Sequence, residues 1–368
     1  MREVKLGDIA KIITGKLDAN AADEGGMYPF FTCSRDILRI NKYAYDCECV
    51  LLAGNGDLNV KYYKGKFNAY QRTYIIELKE GVEFSTIFIY WFLQLYIDIL
   101  RKNSVGATIK YIKIGDLTSI KLPLVSLPEQ ERIVSLLDTQ FAKIDALKAN
   151  AASQLQAAKD LFQSALKQLL TPQEGWDEKT LGEVGEFARG GNFTKSDFVA
   201  DGIPCVHYGQ IHMYFGVSTE SPLTYLPNDF TKIKYAQPGD LIIAITSEDD
   251  EASCKCTAWL GKEPVAVGGH IAVYHHKLDP TFMSYYFRSP FFQKEKLNYT
   301  HGFKVVEIKP SDIAKIHISY PKTIAQQQEI VSRLDEISEK VKALQSNYDQ
   351  TITLCNDLKQ ALLKSIFG

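Results

Sequence analysis

The stretch Ile133-Val134-Ser135-Leu136-Leu137-Asp138 returns as Ile330-Val331-Ser332-Arg333-Leu334-Asp335, 197 positions further on. The same spacing then holds without a gap to residue 368, pairing Ala146-Leu147 with Ala343-Leu344, Asp160-Leu161 with Asp357-Leu358 and Leu166-Lys167 with Leu363-Lys364. A repeat of this kind decides the architecture before any other signal. Ser126 with Glu129, and Thr323 with Gln326, are the hydroxyl and carboxyl-or-amide pairs that open a helix by satisfying its orphan amides. Apolar residues then recur in steps of three and four: Leu137, Phe141, Ile144, Ala151, Leu155, Ala158, Phe162, Ala165 and Leu169, and again Leu334, Ile337, Val341, Leu344, Tyr348, Cys355, Leu358, Leu362 and Ile366. Sustained so long, this period predicts two long helices packed on each other along a coiled-coil seam. At about 1.5 Å per residue, a helix of roughly 43 residues is on the order of 65 Å long. Two helices each packed on its own domain is the plainer alternative; equal length and matched register favour mutual packing.

Working outward, Leu6-Gly7-Asp8-Ile9 recurs as Leu181-Gly182-Glu183-Val184 after 175 positions, so the second copy is longer by about 22 residues. Thr171-Pro172 ends the first helix, because the residue before proline is pushed out of helical geometry, and Gln173-Glu174-Gly175-Trp176 leads into the second copy. The chain divides into a globular domain (1–125), a long helix (126–171), a second domain (172–322) and a second long helix (323–368). Within the domains, Cys49 to Ala53, Arg72 to Leu78, Leu241 to Thr246 and Val265 to Tyr274 read as strands from aliphatic and aromatic content. Phe84 to Lys102 reads as a helix. A counterpart starts at Asp279-Pro280 and runs to about Asn298, with proline at the first helical position. Glycine-led strands close both copies, at Gly106 to Ile112 and Gly302 to Ile308. The fold class is α+β: two mixed α/β domains joined by two long antiparallel helices, with an internal two-fold repeat.

Over 368 residues, 45% hydrophobic side chains suffice to bury cores in two or more domains. Lys and Arg number 42 against 44 Asp and Glu, a formal charge of -2, so no global positive field advertises nucleic acid and any such contact must be local or shared with a partner. Seven cysteines and no charged, apolar leader suit a reducing cytoplasm without disulfides. The apolar run Ile87 to Ile97 falls short of the ~20 residues a membrane span needs.

At the domain-to-helix joint stands Ile120-Lys121-Leu122-Pro123, then Glu129-Gln130 and Ile133-Val134. In these residues, and in the order of domains and helices, the chain resembles the specificity subunits of type I restriction-modification systems. The second joint keeps Pro321 but carries Gln327-Gln328 in place of Glu-Gln. Asp201-Gly202-Ile203-Pro204-Cys205-Val206-His207-Tyr208-Gly209-Gln210-Ile211 and Gly65-Lys66-Phe67-Asn68-Ala69-Tyr70-Gln71-Arg72-Thr73-Tyr74 resemble recurrent sequences of the family's target-recognition domains. The resemblance implies a subunit with no catalysis of its own, in which each recognition domain reads one half of a split, asymmetric site on double-stranded DNA. It implies two methyltransferase subunits as partners, with restriction subunits in some assemblies, and S-adenosylmethionine, ATP and Mg on those partners, none on this chain. The helix pair would set the unread gap, as half-site spacing demands of a stiff spacer.

Phosphates are engaged by Lys, Arg, hydroxyls and backbone amides, and base edges by bidentate Arg, Lys, Asn and Gln. In the first domain Lys61, Lys64 and Lys66 are assigned to phosphates and Gln71 and Arg72 to bases, with Asn68 and Tyr70 interleaved. Thr14, Lys16 and Asn55 stand beside glycines at 15, 54 and 56 in loops that can approach a duplex closely. An exposed hairpin of solvated lysines is the alternative reading of that run. In the second domain the candidates are Arg189, Asn192, Thr194 and Lys195 in one loop, and His207, Tyr208, Gln210 and His212 in a polar-aromatic cluster. His270 stands where a 198-residue offset places Arg72, with Gly268-Gly269 before it.

Other chemistries find less support. Cys47-x-Cys49 and Cys254-x-Cys256 lack the spacing and further ligands of a structural zinc site. There is no Walker-type phosphate loop and no Asn/Asp-Pro-Pro-aromatic motif of the kind adenine methyltransferases place around a flipped base. Asp57 with Glu77-x-Lys79 imitates the carboxylate-and-lysine set of a metal-dependent nuclease, the enzyme alternative. A coiled-coil scaffold that binds only protein is the other.

Overall fold

The computed structural model describes residues 2–106, 110–250, 252–300 and 306–368. Its contacts gather into two compact units, Met1–Ala152 with Asp349–Gly368, and Ser153–Tyr348.

In the first unit β1 (Glu3–Lys5) leads through one helical turn, α1 (Leu6–Ile9), into β2 (Ala10–Thr14), followed by β3 (Tyr28–Phe31), β4 (Leu38–Ile40), β5 (Tyr45–Ala53), β6 (Val60–Ala69) and β7 (Thr73–Leu78). These form a six-stranded sheet in the order β2-β7-β5-β6-β3-β4. Only β3 and β6 pair in parallel. Next, α2 (Thr86–Asn103) begins where the Ser85 hydroxyl accepts from the Phe88 N–H. It lays Phe88, Phe92 and Leu93 on Val50, Leu52 and Ile76, the one-sided burial its spacing predicts. A turn, α3 (Ile114–Thr118), brings β8 (Lys121–Pro123) back against β1, and α4 (Leu127–Leu169) leaves from there.

The second unit repeats this path. β9 (Asp177–Thr180), α5 (Leu181–Val184), β10 (Gly185–Arg189) and β11 (Ile203–Val206) match the first elements; α6 (Tyr208–Met213), β12 (Ser218–Thr219), β13 (Thr224–Leu226) and β14 (Tyr235–Ala236) follow. Then come β15 (Leu241–Ala244), β16 (Thr246–Ser247), β17 (Cys256–Trp259), β18 (Val265–Val267) and β19 (Ile271–His276). After α7 (Pro280–Tyr286), α8 (Pro290–Lys296), β20 (Val306–Glu307), α9 (Pro310–Ile313) and β21 (His317–Tyr320), the chain ends in α10 (Ile324–Phe367). Strands divide between a five-stranded sheet, β10-β19-β15-β17-β12, and a four-stranded one, β13-β11-β18-β14, while β21 pairs with β9 as β8 does with β1.

Some expected elements come out differently. The run Val265 to Tyr274 is not one strand: Gly268-Gly269-His270 breaks it, with His270 at φ 61. The helix expected from Pro280 to Asn298 is interrupted, because Ser289 caps a fresh start with Pro290 at its first position; that signal stood in the sequence. Of the closing strands, 107–109 and 301–305 lie outside the described residues.

The long helices follow their period more strictly than their hydrophobicity. Counted from Leu334, a strict heptad runs through Ser338, Val341, Gln345, Tyr348, Ile352, Cys355, Lys359, Leu362 and Ile366, all buried or half-buried. Leu344 and Leu358, expected in the seam, are 38% and 53% exposed; each stands one residue off the heptad, and Gln345 and Lys359 take the inward places. In the first unit Lys148 donates to Asn356 at 2.9 Å and Lys359 pairs with Asp145, so the two helix segments run antiparallel, closed by Leu137, Phe141 and Ile144 against Cys355 and Leu363. In the second unit Phe162, Ala165 and Leu166 join Ile330, Leu334 and Ile337.

At α10 the Thr323 hydroxyl accepts from the Gln326 N–H as expected. At α4, by contrast, the Glu129 carboxylate is held by Nε and one terminal amino group of Arg132. The two joints are clamped by a fully buried glutamine each. Gln130 accepts from the Ser85 N–H at 2.8 Å and donates to the Val125 carbonyl at 2.9 Å; Gln327 accepts from Asp279 N–H at 2.7 Å and donates to the Pro321 carbonyl at 2.8 Å. The counterpart of Glu129-Gln130 is therefore Gln326-Gln327, one position before the pair taken from sequence.

Candidate nucleic-acid interface

In each domain one end of the sheet is built by the same backbone hydrogen bonds. Gly15 N–H donates to Thr73 O and Lys16 N–H to Ala69 O; Gly190 N–H donates to Ile271 O and Gly191 N–H to Val267 O. Tyr70 N–H to Phe31 O has its counterpart in Gly268 N–H to Val206 O, and Gly54 N–H to Arg72 O in Ile245 N–H to His270 O. The offsets are 175 for the glycine loops and 198 for the tips, those read from sequence, and 191 from Gly54 to Ile245 between them. The crossing is tight enough to require glycine: a Cβ on Gly15 would lie 2.1 Å from the Ala69 oxygen, and one on Gly190 2.1 Å from the Gly268 oxygen.

This frame brings part of the first set together. Thr14, Lys16, Tyr70, Gln71 and Arg72 converge where the loop after β2 crosses the β6-β7 tip, with Asn55 on the adjoining loop. Gln71 donates to Asp18 at 2.7 Å. Lys16 and Arg72 are exposed and make no side-chain bond among the described residues. The lysines of β6 are each engaged. Lys61 donates to the Ser34 carbonyl at 2.6 Å and to Asn59, and its burial lowers the ammonium pKa; Lys64 is paired with Glu48 at 2.8 Å; Lys66 lies 4.8 Å over the Tyr43 ring. Asn68 is buried, donating to Lys42 O and accepting from Ala69 N–H, so it supports the frame instead of facing outward.

In the second domain Arg189 faces Glu307 at 3.9 Å, Thr194 closes a turn with Asp197, and Asn192 and Lys195 are exposed. His207 and Gln210 are buried and cap α6: the ring accepts from Gly209 N–H, and the amide accepts from His207 N–H and donates to Thr224. Burial lowers the His207 pKa, helped by Lys195 and His270 nearby, so this ring is a framework group. His212 meets the Thr246 carbonyl at 3.1 Å. Tyr208 lies between these groups, its ring 4.4 Å from His207 and 5.3 Å from His270. His270 is exposed and occupies the place of Arg72 with a left-handed backbone, a conformation that costs energy and gathers at functional positions.

The nuclease set is not assembled. Asp57 is bonded to Arg35 and Arg101, Glu77 sits across from Cys49 on β5, and Lys79 donates to the carbonyls of Gly7 and Asp8. Among the described residues no group of three or more His, Cys, Asp or Glu is placed to hold a metal. Cys254 and Cys256 are buried, and burial pushes the Cys254 thiol up to about 12. No described helix is long and apolar enough to cross a membrane. Arg35, outside the set expected from sequence, is a lone residue whose partner Asp57 is 22 positions away.

Two duplicated domains, each with a glycine-tightened tip and followed by a long helix, define the class. The chain belongs to the family whose model is described as the type I restriction modification DNA specificity domain, matched at residues 1–157 and 173–354, and so to the specificity subunits of type I restriction-modification systems. Such a subunit recognises DNA sequence and is not itself catalytic. It is 30% identical over 395 residues to the type I restriction enzyme EcoDI specificity subunit of Escherichia coli, covering 100% of this chain and 87% of that one. It is 23% identical to the MjaVIII specificity subunit of Methanocaldococcus jannaschii, over 92% and 88% of the two chains. A solved structure described as the basis of complex assembly and conformational transition of the type I R-M system matches with a TM-score of 0.74 at 19% identity, over 99% and 96% of the chains. The HsdS subunit from Thermoanaerobacter tengcongensis matches with 0.54 at 18% identity, over 100% and 96%.

Proposed function

We propose that this specificity subunit recognises a split, asymmetric site on double-stranded DNA, one domain to each half, with the helix pair setting the unread gap. The observation that carries this is a shared frame with different tips. The same four backbone bonds position Lys16 and Arg72 in one domain and Gly191 and His270 in the other, so one geometry presents two chemistries. Two methyltransferase subunits dock on the chain, and restriction subunits join in assemblies that cut. S-adenosylmethionine, ATP and Mg act on those partners, in the cytoplasm. With a formal charge of -2, the complex draws much of its phosphate attraction from the methyltransferases, so DNA affinity measured with and without them should differ strongly and fall with salt. A scaffold that binds only protein would show no salt-sensitive DNA affinity even in the assembled complex. The test is to purify the chain with its cognate methyltransferase, treat unmethylated genomic DNA and map methylated adenines by long-read sequencing. A two-part motif with a fixed gap supports the reading; absent or random modification refutes it.

A further inference from the structure

The Arg35-Asp57-Arg101 cluster has no part in the frame or in the set of readers taken from sequence. Arg101, at the end of α2, is tied down: one terminal amino group donates to Asp98 at 2.7 Å, and the other to the Leu58 carbonyl at 2.6 Å and to Asp57 at 3.3 Å. Asp57 is thus held from behind. Its other oxygen accepts from Nε of Arg35 at 2.7 Å. Arg35 is 70% exposed, and its two terminal amino groups make no hydrogen bond among the described residues. A guanidinium gripped at Nε keeps its end-on edge free as a rigid, two-pronged donor.

The position fits a reader. Arg35 follows Cys33 and Ser34, whose neighbours are the backbone of Arg72 and the side chains of Asn59 and Lys61, and its partner Asp57 follows Gly54, whose N–H donates to the Arg72 carbonyl, so the loop that carries Arg35 borders the tip formed by residues 70–72. We propose that Arg35 reads a guanine of the site recognised by the first domain, through O6 and N7, and that Asp57 is its positioning residue. A phosphate could meet the same fork, but the Asp57 carboxylate would stand close to a second negative charge there. A neutral base edge carries no such repulsion. A fixed fork also supplies direction, which a base edge rewards more than a phosphate does. The inference rests on the first domain being a reader of its own part of the target.

The assembled complex with its methyltransferase tests this through its methylation motif. Arg35→Ala and Arg35→Lys should each relax one G·C position by roughly ten- to hundredfold in discrimination, since lysine keeps the charge but loses the fork. Asp57→Asn should loosen that same position while the melting temperature and every other position stay unchanged, a pattern that a merely structural carboxylate does not give. An unaltered motif overturns the proposal. So does a uniform loss at all sites with the salt slope reduced by about one, which marks a phosphate contact. A wild-type motif that proves contiguous defeats the split-site reading, yet the Arg35 position is still scored within it; a split motif with Arg35 silent defeats this inference alone.

Discussion

Replacing Gln327 with leucine keeps the size of the side chain and removes the clamp at the second joint. Two bonds disappear together, one from the Asp279 N–H at 2.7 Å and one to the Pro321 carbonyl at 2.8 Å. Because Gln327 is fully buried, leucine leaves two backbone groups facing apolar surroundings instead of water. Each orphaned group costs about 1–2 kcal/mol, so the variant should lose about 2–4 kcal/mol. For a unit of this size each kcal/mol lowers the melting temperature by about 2–4 °C, giving a drop of roughly 5–15 °C. Calorimetry reads this directly. Gln328→Leu, one residue on and exposed, is the control and should change stability by less than about 0.5 kcal/mol. Equal effects of the two substitutions, or a silent Gln327→Leu, would refute the assignment of Gln327 as the clamp. Gln130→Leu should behave as Gln327→Leu does, since it breaks the matching pair at the first joint.

Arg72→Ala should relax or abolish recognition in one half of the site only, read from the methylation motif; an equal fall in affinity for all sequences would make Arg72 a phosphate contact. Deleting one heptad from both long helices should shorten the unread gap and leave both half-sites unchanged, and altered half-sites with the old gap would contradict the ruler. Burial holds the His276 imidazole down at about 4, below its ordinary 6.5. The unfolded chain therefore takes up a proton between pH 6.5 and 4 that the folded one refuses, so stability is full above about 6.5 and falls on acidification, by roughly 3 kcal/mol at pH 4. In His276→Leu that part of the pH dependence of the melting temperature should vanish.

The repeat was legible because duplication writes itself twice: the offsets of 175 and 198 reappear as paired backbone bonds. The seam was legible in its period and misread in its members. Leu344 and Leu358 are apolar but exposed, and the 3-4 rhythm from Leu334 puts Gln345 and Lys359 in the half-buried places instead, with the Lys359 ammonium reaching Asp145 from a largely buried side chain. Among the site residues, run and composition picked out Lys61, Lys64 and Asn68, which tertiary contacts then engaged with Ser34, Glu48 and Lys42. No local rule could say that Asn68 turns inward while Arg72, four residues on, turns out. Arg35 was hidden for the converse reason: what prepares it is a carboxylate on another loop, held by a third residue on α2.

The central claim is that two separable readers share one frame. Its most direct test is to replace residues 1–125 with the corresponding domain of a relative of different target, assemble the chimera with the methyltransferase and map methylated adenines across a genome. One half of the motif should change to the relative's, with the other half and the gap retained. Both halves changing, or neither, would contradict it.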